Sequence, residues 1–384
     1  MSSNIPKLRF PEFSEKWNMT NLGKVCEMQA GKFIPASSIF NSQGVNLYPC
    51  YGGNGLRGYT ESYTHEGNFS LIGRQGALCG NIIYAVGKFH ATEHAVVVSS
   101  NNHTDSKWIF YLLGKLHLNQ YATGQAQPGL SVDVIKKVSL MIPSNNSEQK
   151  KIADFLSAAD NKIERLEKIL ELQKEYKRGV MQRMFNQTMR FKDDKGNSYP
   201  NWQETKISSI GEVITGSTPS KSNEDYWGGD FVWVTAQDFK QKYIETSALK
   251  LTERGKNVSR VIPKNSILIT CIASIGLNAI NTVECATNQQ INALVCNDEY
   301  CTEFIYYAID FNTNRLKRLA GQTAVPIISK SVFESFSINI PKEKDEQKKI
   351  ADFLSALDAK IEATQKQLDI ARNWKKGLLQ KMFV

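Results

Sequence analysis

The chain has 384 residues, 47 lysines and arginines against 38 aspartates and glutamates, a formal charge of +9 and 41% hydrophobic residues, which is more than one ordinary core takes up and predicts at least two domains. No uninterrupted apolar run approaches a membrane span, the opening MSSNIPKLRF lacks the apolar core of a signal peptide, and the seven cysteines are odd in number with no Cys-x-x-Cys pair, so a reduced, cytoplasmic protein with no membrane role is expected. The charge falls as +4 before residue 144, +2 over residues 144–185, 0 over 186–341 and +3 over 342–384, a balance that suits an anionic partner without identifying one.

Residues 1–143 read as a mixed, strand-rich domain. Residues 46–51, 59–63, 69–72, 81–86 and 94–98 are apolar or alternating runs between glycine-rich turns, 108–118 has helical spacing, and 132–142 predicts a helical turn and then a strand. Two motifs here resemble chemistry, and their surroundings argue against it. Gly53, Gly55 and Gly58 spell G-x-G-x-x-G, which cradles a dinucleotide when it follows a strand and opens a helix. The YTESY that follows prefers a strand, so a tight turn is expected. His90, Glu93 and His94 match H-x-x-E-H, which holds zinc on a helix. Val96, Val97 and Val98 predict a strand instead. Two histidines would still share a strand face, but no third ligand is evident from His65, His103 or His117, and neither a metal nor a cofactor is expected in this chain.

Pro143 and a polar joint at 144–147 lead into a long helix, and its sequence occurs twice. Residues 148–185 return as residues 346–383 without a gap, identical at 22 of 38 positions. In the first copy Ile152, Leu156, Ala159, Ile163, Leu166, Leu170, Gln173, Lys177, Val180 and Met184 alternate steps of four and three, the spacing that turns one apolar stripe toward a partner helix. Ile350, Leu354, Leu357, Ile361, Thr364, Leu368, Ala371, Lys375, Leu378 and Met382 repeat the stripe. Ser147 and Asp345 are placed to cap the helix starts, Glu148 and Glu346 suit the positive end of each dipole, and Lys177, Arg178, Lys375 and Lys376 suit the negative end. At about 1.5 Å per residue each helix is about 55 Å long, more than one small core covers, so each needs a long partner.

Between the copies, a turn-prone stretch at 186–201 precedes a second domain, expected to end near residue 341. Its strands are predicted at 212–215, 231–235, 266–269 and 291–296, with helical spacing over 301–319. The two globes share marks rather than a sequence. Trp17 and Trp202 precede Leu22-Gly23 and Ile210-Gly211, Gly31 and Gly216 follow, and Ala91-Thr92 and Ala286-Thr287 precede apolar runs. The expected architecture is α+β: globes at 1–143 and 186–341, and long helices at 144–185 and 342–384 forming an antiparallel coiled coil with internal pseudo-two-fold symmetry. No Walker loop or G-x-S-x-G elbow is present.

The phrase EQKKIADFLS at both helix starts, the endings YKRG…MF and WKKG…MF, and the globe motifs GSTP (216–219), YWGG (226–229), WVT (233–235) and ATNQQINA (286–293) look like the specificity subunit of Type I restriction-modification enzymes. The resemblance covers essentially the whole chain. It implies two target recognition domains, each reading one half of a split double-stranded DNA target, with the helices setting the unread gap and docking two modification (methyltransferase) subunits. Those partners would bring S-adenosylmethionine and adenine N6-methylation. Restriction subunits would bring ATP, Mg and the translocase and nuclease activities, leaving this chain non-catalytic. A rod of about 55 Å spans roughly 16 base pairs at about 3.4 Å each, which suits that task. Loop residues able to pair with base edges or hold phosphates are Lys32, Arg57, Arg74, Gln125 and Gln127 in the first globe, and Lys221, Gln237, Arg254, Asn288, Gln289, Gln322 and Thr323 in the second. Tyr226, Trp227 and Trp233 read as core. The rival reading is a coiled-coil adaptor with two ligand-binding domains, which explains the helices but not the basic excess.

Overall fold

The computed structural model describes residues 5–76, 78–124, 128–320 and 325–384, and the chain divides into two compact units, Met1–Ile169 with Thr364–Val384, and Leu170–Ala363.

The first unit contains β1 (Asn18–Asn21), β2 (Cys26–Ala30), β3 (Tyr48–Gly52), β4 (Gly55–Thr60), β5 (His65–Gly73), β6 (Ile82–Ala91), β7 (Ala95–Ser100) and β8 (Ser139–Ile142). Six strands form one sheet in the order β2-β7-β5-β6-β3-β4, antiparallel except where β3 runs parallel to β6, and β1 pairs with β8. β7 lies between two neighbours and buries both faces. Val96 and Val98 meet Trp17, Trp108 and Leu112 on one side, while Val97 meets Leu71 and Phe89 on the other, and this is why its sequence is an apolar run without alternation. The helix Ser106–Lys115 starts where the Asp105 side chain accepts from the amides of Lys107 and Trp108.

The second unit contains β9 (Gln203–Lys206), β10 (Gly211–Thr215), β11 (Trp227–Val234), β12 (Tyr243–Ile244), β13 (Leu249–Leu251), β14 (Ile267–Thr270), β15 (Asn278–Asn281), β16 (Cys285–Thr287), β17 (Ile291–Cys296) and β18 (Ser337–Ile340). Its sheets run β10-β17-β14-β15-β12, β13-β11-β16 and β18-β9. The plan of the first unit is repeated: β10–β17 stands for β2–β7, β17–β14 for β7–β5, and the parallel β11–β16 for β3–β6. The single long β6 is here cut into β15 and β16, so one sheet becomes two. The helical stretch expected over 301–319 is two helices, Thr302–Phe311 and Thr313–Arg318, broken at Asn312, whose side chain donates to the Ala308 carbonyl at 2.8 Å. Trp233 is 2% exposed and meets Trp227 edge-on at 4.9 Å between centroids.

The repeat helices are Asn146–Phe185 and Lys344–Met382. In the first unit, Trp17 touches both Glu148 at the start of one helix and Phe383 just past the end of the other, while Glu167 pairs with Arg372 further along. The two stretches are therefore antiparallel. In the second unit Trp202 touches Phe185 and Glu346, and Lys177 pairs with Asp358, giving the same sense. Ile152, Leu156, Leu166, Leu170, Met184, Ile350, Leu354, Leu368 and Met382 are buried, whereas Ile163, Leu357 and Ile361 are half-buried.

Two helix-end expectations are corrected. The first helix begins a residue before Ser147, and Asn145 accepts from the Ser147 amide at 2.8 Å as the cap. Asp345 lies inside the first turn of the second helix, where it accepts from the Tyr199 hydroxyl. Lys177 and Lys375 do not serve the helix dipoles. They stand well before the helix ends and pair with Asp358 and Asp160, because a fixed carboxylate at hydrogen-bonding distance outweighs a terminal partial charge two turns away.

Candidate nucleic-acid interface

In the first unit three chain segments converge on one mouth. The hairpin between β3 and β4 brings Gly53 against the turn after β6, where a Cβ would lie 3.0 Å from the His94 carbonyl and 3.4 Å from that of Gln75. The Arg74 amide donates to the His94 carbonyl at 2.9 Å, the Leu130 amide to that of Arg74 at 2.9 Å, and the Gly76 amide to that of Pro128 at 3.0 Å. A cavity of about 440 Å³ opens there, lined by residues including Gly52, Asn54, Arg57, Gln75 and His94.

The second unit builds the same frame bond for bond. The Cys271 amide donates to Gln290 at 2.7 Å, the Ile328 amide to Cys271 at 2.9 Å, and the Ala273 amide to Pro326 at 3.0 Å. Its cavity of about 430 Å³ is lined by Ala273, Ser274, Ile275, Leu277, Lys317 and Pro326. Gly31 and Gly216 make both frames possible: a Cβ on either would fall within 2.3 Å of an atom in the Ala91–Thr92 or the Thr287–Asn288 segment.

The sequence-predicted contact residues divide accordingly. Arg57 and Arg74 stand at the first mouth, Arg57 exposed and Arg74 half-buried. Gln125 and Gln127 lie outside the described residues, and the flanking Thr123 and Gly129 exchange backbone hydrogen bonds at 2.9 and 2.8 Å. Lys32 follows β2 with an exposed side chain, its carbonyl 3.1 Å from His90 Nε2. Asn288 and Gln289 form the turn of the second mouth, where Asn288 accepts from the Gln290 amide at 3.1 Å and Gln289 from the Thr218 hydroxyl at 2.6 Å. Gln322 and Thr323 lie outside the described residues. Lys221 and Gln237 are exposed on separate turns, and Arg254 pairs with Asp225 at 2.7 Å.

Sequence reasoning missed Gln75, His94 and Gln290 at these mouths. The H-x-x-E-H pattern was the available signal, but it was weighed only for zinc. The strand ends at Ala91, so His90 and His94 do not share a strand face as expected. His94 instead meets Gln75 at 2.9 Å and Glu93 at 3.2 Å. Among the described residues no group of three histidine, cysteine, aspartate or glutamate side chains is placed to hold a metal ion. G-x-G-x-x-G forms the β3–β4 hairpin, with Gly55 at φ +97°.

A second constellation clamps the helices to each globe. Glu148, 1% exposed, accepts from Arg9 at 2.7 and 2.8 Å and from Trp17 Nε1 at 3.2 Å; Glu346, 0% exposed, accepts from Arg190 at 3.0 and 2.9 Å and from Trp202 Nε1 at 3.2 Å. The neighbouring Gln149 and Gln347 accept from the amides of Asp105 and Cys301 at 3.0 and 2.8 Å. Further on, the Tyr111 and Tyr307 hydroxyls each donate at 2.6 Å, to Asp160 and Asp358. Burial, reinforced by those carboxylates, pushes both phenols well above their ordinary value. Lys107 and Lys242 come from unrelated positions, yet each stacks on the aromatic side chains of its own cluster, and burial lowers the pKa of both ammonium groups.

Two α+β units of one plan, each holding a stretch of both repeat helices and each carrying a loop-framed mouth, define a duplicated two-unit scaffold. The family described as Type I restriction modification DNA specificity domain matches residues 14–174 and 199–371, and the chain belongs to that family. It is 45% identical over 138 residues to the Type I restriction enzyme EcoprrI specificity subunit of Escherichia coli, covering 36% of this chain and 34% of that one. It is 35% identical over 196 residues to the MjaIX specificity subunit of Methanocaldococcus jannaschii, covering 47% and 45%. The chain thus spans less than half the length of either relative. The S subunit of a Type I restriction-modification system from M. genitalium shares the fold with a TM-score of 0.72 at 18% identity over 99% of both chains. A chain solved in work on complex assembly and conformational transition of the type I R-M system gives 0.55 at 14% identity over 95% and 97%. No helix among the described residues is long and apolar enough to cross a membrane.

Proposed function

We propose that this chain is the non-catalytic specificity subunit of a cytoplasmic Type I restriction-modification complex. Residues 1–143 and 186–341 act as target recognition domains, each reading one half of a split DNA target. Residues 144–185 and 342–384 act as spacers that set the unread gap and dock two modification subunits. Adenine N6-methylation from S-adenosylmethionine, and ATP-dependent translocation and cleavage, belong to the modification and restriction partners. The observation that carries this reading is one backbone frame occurring twice with unlike side chains at its mouth: Arg74, Gln75 and His94 in one copy, Cys271, Ile272 and Gln290 in the other. A frame held constant while its rim varies is what reading two different half-sites demands. The proposed DNA contacts remain Lys32, Arg57, Arg74, Gln125, Gln127, Lys221, Gln237, Arg254, Asn288, Gln289, Gln322 and Thr323.

The test is to map methylated adenines in DNA from cells carrying the chain with its modification partner. A two-part motif is expected, and Asn288→Ala with Gln289→Ala alters one half only. A motif indifferent to changes in either unit refutes the proposal. A coiled-coil adaptor would not bind duplex DNA with the steep salt dependence that phosphate contacts impose.

A further inference from the structure

The two motifs whose usual helical setting is missing here meet at one place. The G-x-G-x-x-G hairpin and the H-x-x-E-H turn wall the same cavity of about 440 Å³, together with Gln75, Gly76 and Arg57. Bare backbone at Gly52, Gly53, Gly55 and Gly76 keeps it open. Gly53 has no room for a side chain, since a Cβ would meet His94 and Gln75, whereas Gly76, at φ +84°, faces open space.

Gln75 is an exposed side chain at this opening with one hydrogen-bonding end held by the protein. One end of its carboxamide bonds His94 Nδ1 at 2.9 Å, and the other ring nitrogen of His94 lies 3.2 Å from Glu93 Oε1. A histidine held at both nitrogens is fixed in orientation, and an amide anchored at one end presents the other in a defined plane. Oε1 keeps a second lone pair for the adenine N6 donor while Nε2 can donate to N7, so the carboxamide matches that edge of adenine, and the exposed Arg57 on the hairpin lip matches a phosphate or a guanine edge.

The second unit supplies an internal comparison. Arg74 and Cys271 make the same two backbone bonds, so Gln75 and His94 correspond to Ile272 and Gln290. The backbone is kept, yet the amide–imidazole pair is absent from those two positions. A structural role would favour keeping the pair along with the frame, whereas a reading role favours changing it.

We infer that this cavity receives a base edge of the half-site bound by the first unit, that the Gln75 carboxamide reads it, and that His94 positions Gln75. The inference rests on the DNA-recognition function proposed above and adds to it two residues and the class of ligand group they meet.

The test uses the full chain expressed with its modification partner, reading methylated adenines genome-wide for wild type, Gln75→Ala, Gln75→Glu and His94→Ala. Gln75→Ala relaxes one base position in one half-site by about tenfold or more, the loss set by one bidentate base contact. Gln75→Glu replaces amide donors with an acceptor and changes the base preferred at that position. His94→Ala relaxes the same position and no other. The opposite half-site and the gap stay as in wild type. Should a Gln75 variant lose methylation while melting at the wild-type temperature, selection from a library randomised over that half-site decides the matter. Recovery of a different base there supports the inference, and recovery of the wild-type sequence overturns it. A two-part motif unmoved by every Gln75 and His94 variant overturns this inference alone, whereas a wild-type complex with no two-part motif overturns the proposed function and the inference with it.

Discussion

Removing the Glu346 carboxylate tests whether the clamp or the seam holds a globe on its helices. Glu346 is wholly buried and takes two hydrogen bonds from Arg190, whose side chain is 21% exposed, and one from Trp202. Glu346→Ala leaves a largely buried guanidinium without its counter-charge, holding the Pro200 carbonyl at 2.6 Å, and an indole N–H unpaired. Breaking a buried pair from one side costs about 3–5 kcal/mol, and the remaining exposure of Arg190 places this case near about 3. Removing both partners as Arg190→Met with Glu346→Met takes the stranded charge away, so the double variant loses less than Glu346→Ala, with a coupling of about 2 kcal/mol. Urea unfolding of the full chain, followed by tryptophan fluorescence and circular dichroism, measures both. The chain has two units, so its transitions can separate. Glu346→Ala moves the transition of the second unit and Glu148→Ala that of the first. A Glu346→Ala variant within about 0.5 kcal/mol of wild type, or a double variant no better than the single, refutes the clamp.

Phe383→Ala empties a site that is 3% exposed between Trp17 and Trp108 and costs about 3–5 kcal/mol, read as a lower melting temperature. Burial pushes the thiols of Cys26, Cys285 and Cys296 up to about 12 from an ordinary 9.0. The folded chain therefore holds these protons more tightly than the unfolded one. The stability they contribute is complete below about pH 9 and is lost as pH rises toward about 12. Cys285→Ala flattens that alkaline loss in urea titrations between pH 8 and 11, and an unchanged slope would falsify the assignment. Inserting one heptad before Tyr176 and another before Trp374 adds about 10 Å of helix, roughly three base pairs. Under the proposed function the methylated motif keeps its half-sites and gains that much gap, and altered half-sites would exclude a spacer role.

The long helices were legible because duplication and a four-three stripe are local signals repeated over five heptads. The strands read correctly include buried, unbroken apolar runs, such as β7 and β17, and alternating ones, such as β10. Several that were passed over, β1, β9, β13 and β18, have three or four residues, and their pairings come from residues as distant as Asn18 and Ile142. No local pattern announces such a partner. The buried role of Glu148 and Glu346 was hidden for the same reason. A glutamate at a helix start has a sufficient local explanation in the dipole, and only the fold brings Arg9 or Arg190 to it. At the mouths, loop chemistry drew attention to Arg57, Arg74, Asn288 and Gln289. Gln75 and His94 were obscured because the histidine pattern has a better-known use in metal binding.

Each repeat helix presents the same set of anchoring groups: a glutamate, the glutamine beside it, and an aspartate three turns on. One globe answers with Arg9, Trp17, Asp105 and Tyr111, the other with Arg190, Trp202, Cys301 and Tyr307. A globe needs only that handful of plugs to fit a socket written into the rod. Residues beyond the joint make none of these bonds, so a globe of another sequence that keeps the plugs can be fitted to an unchanged handle.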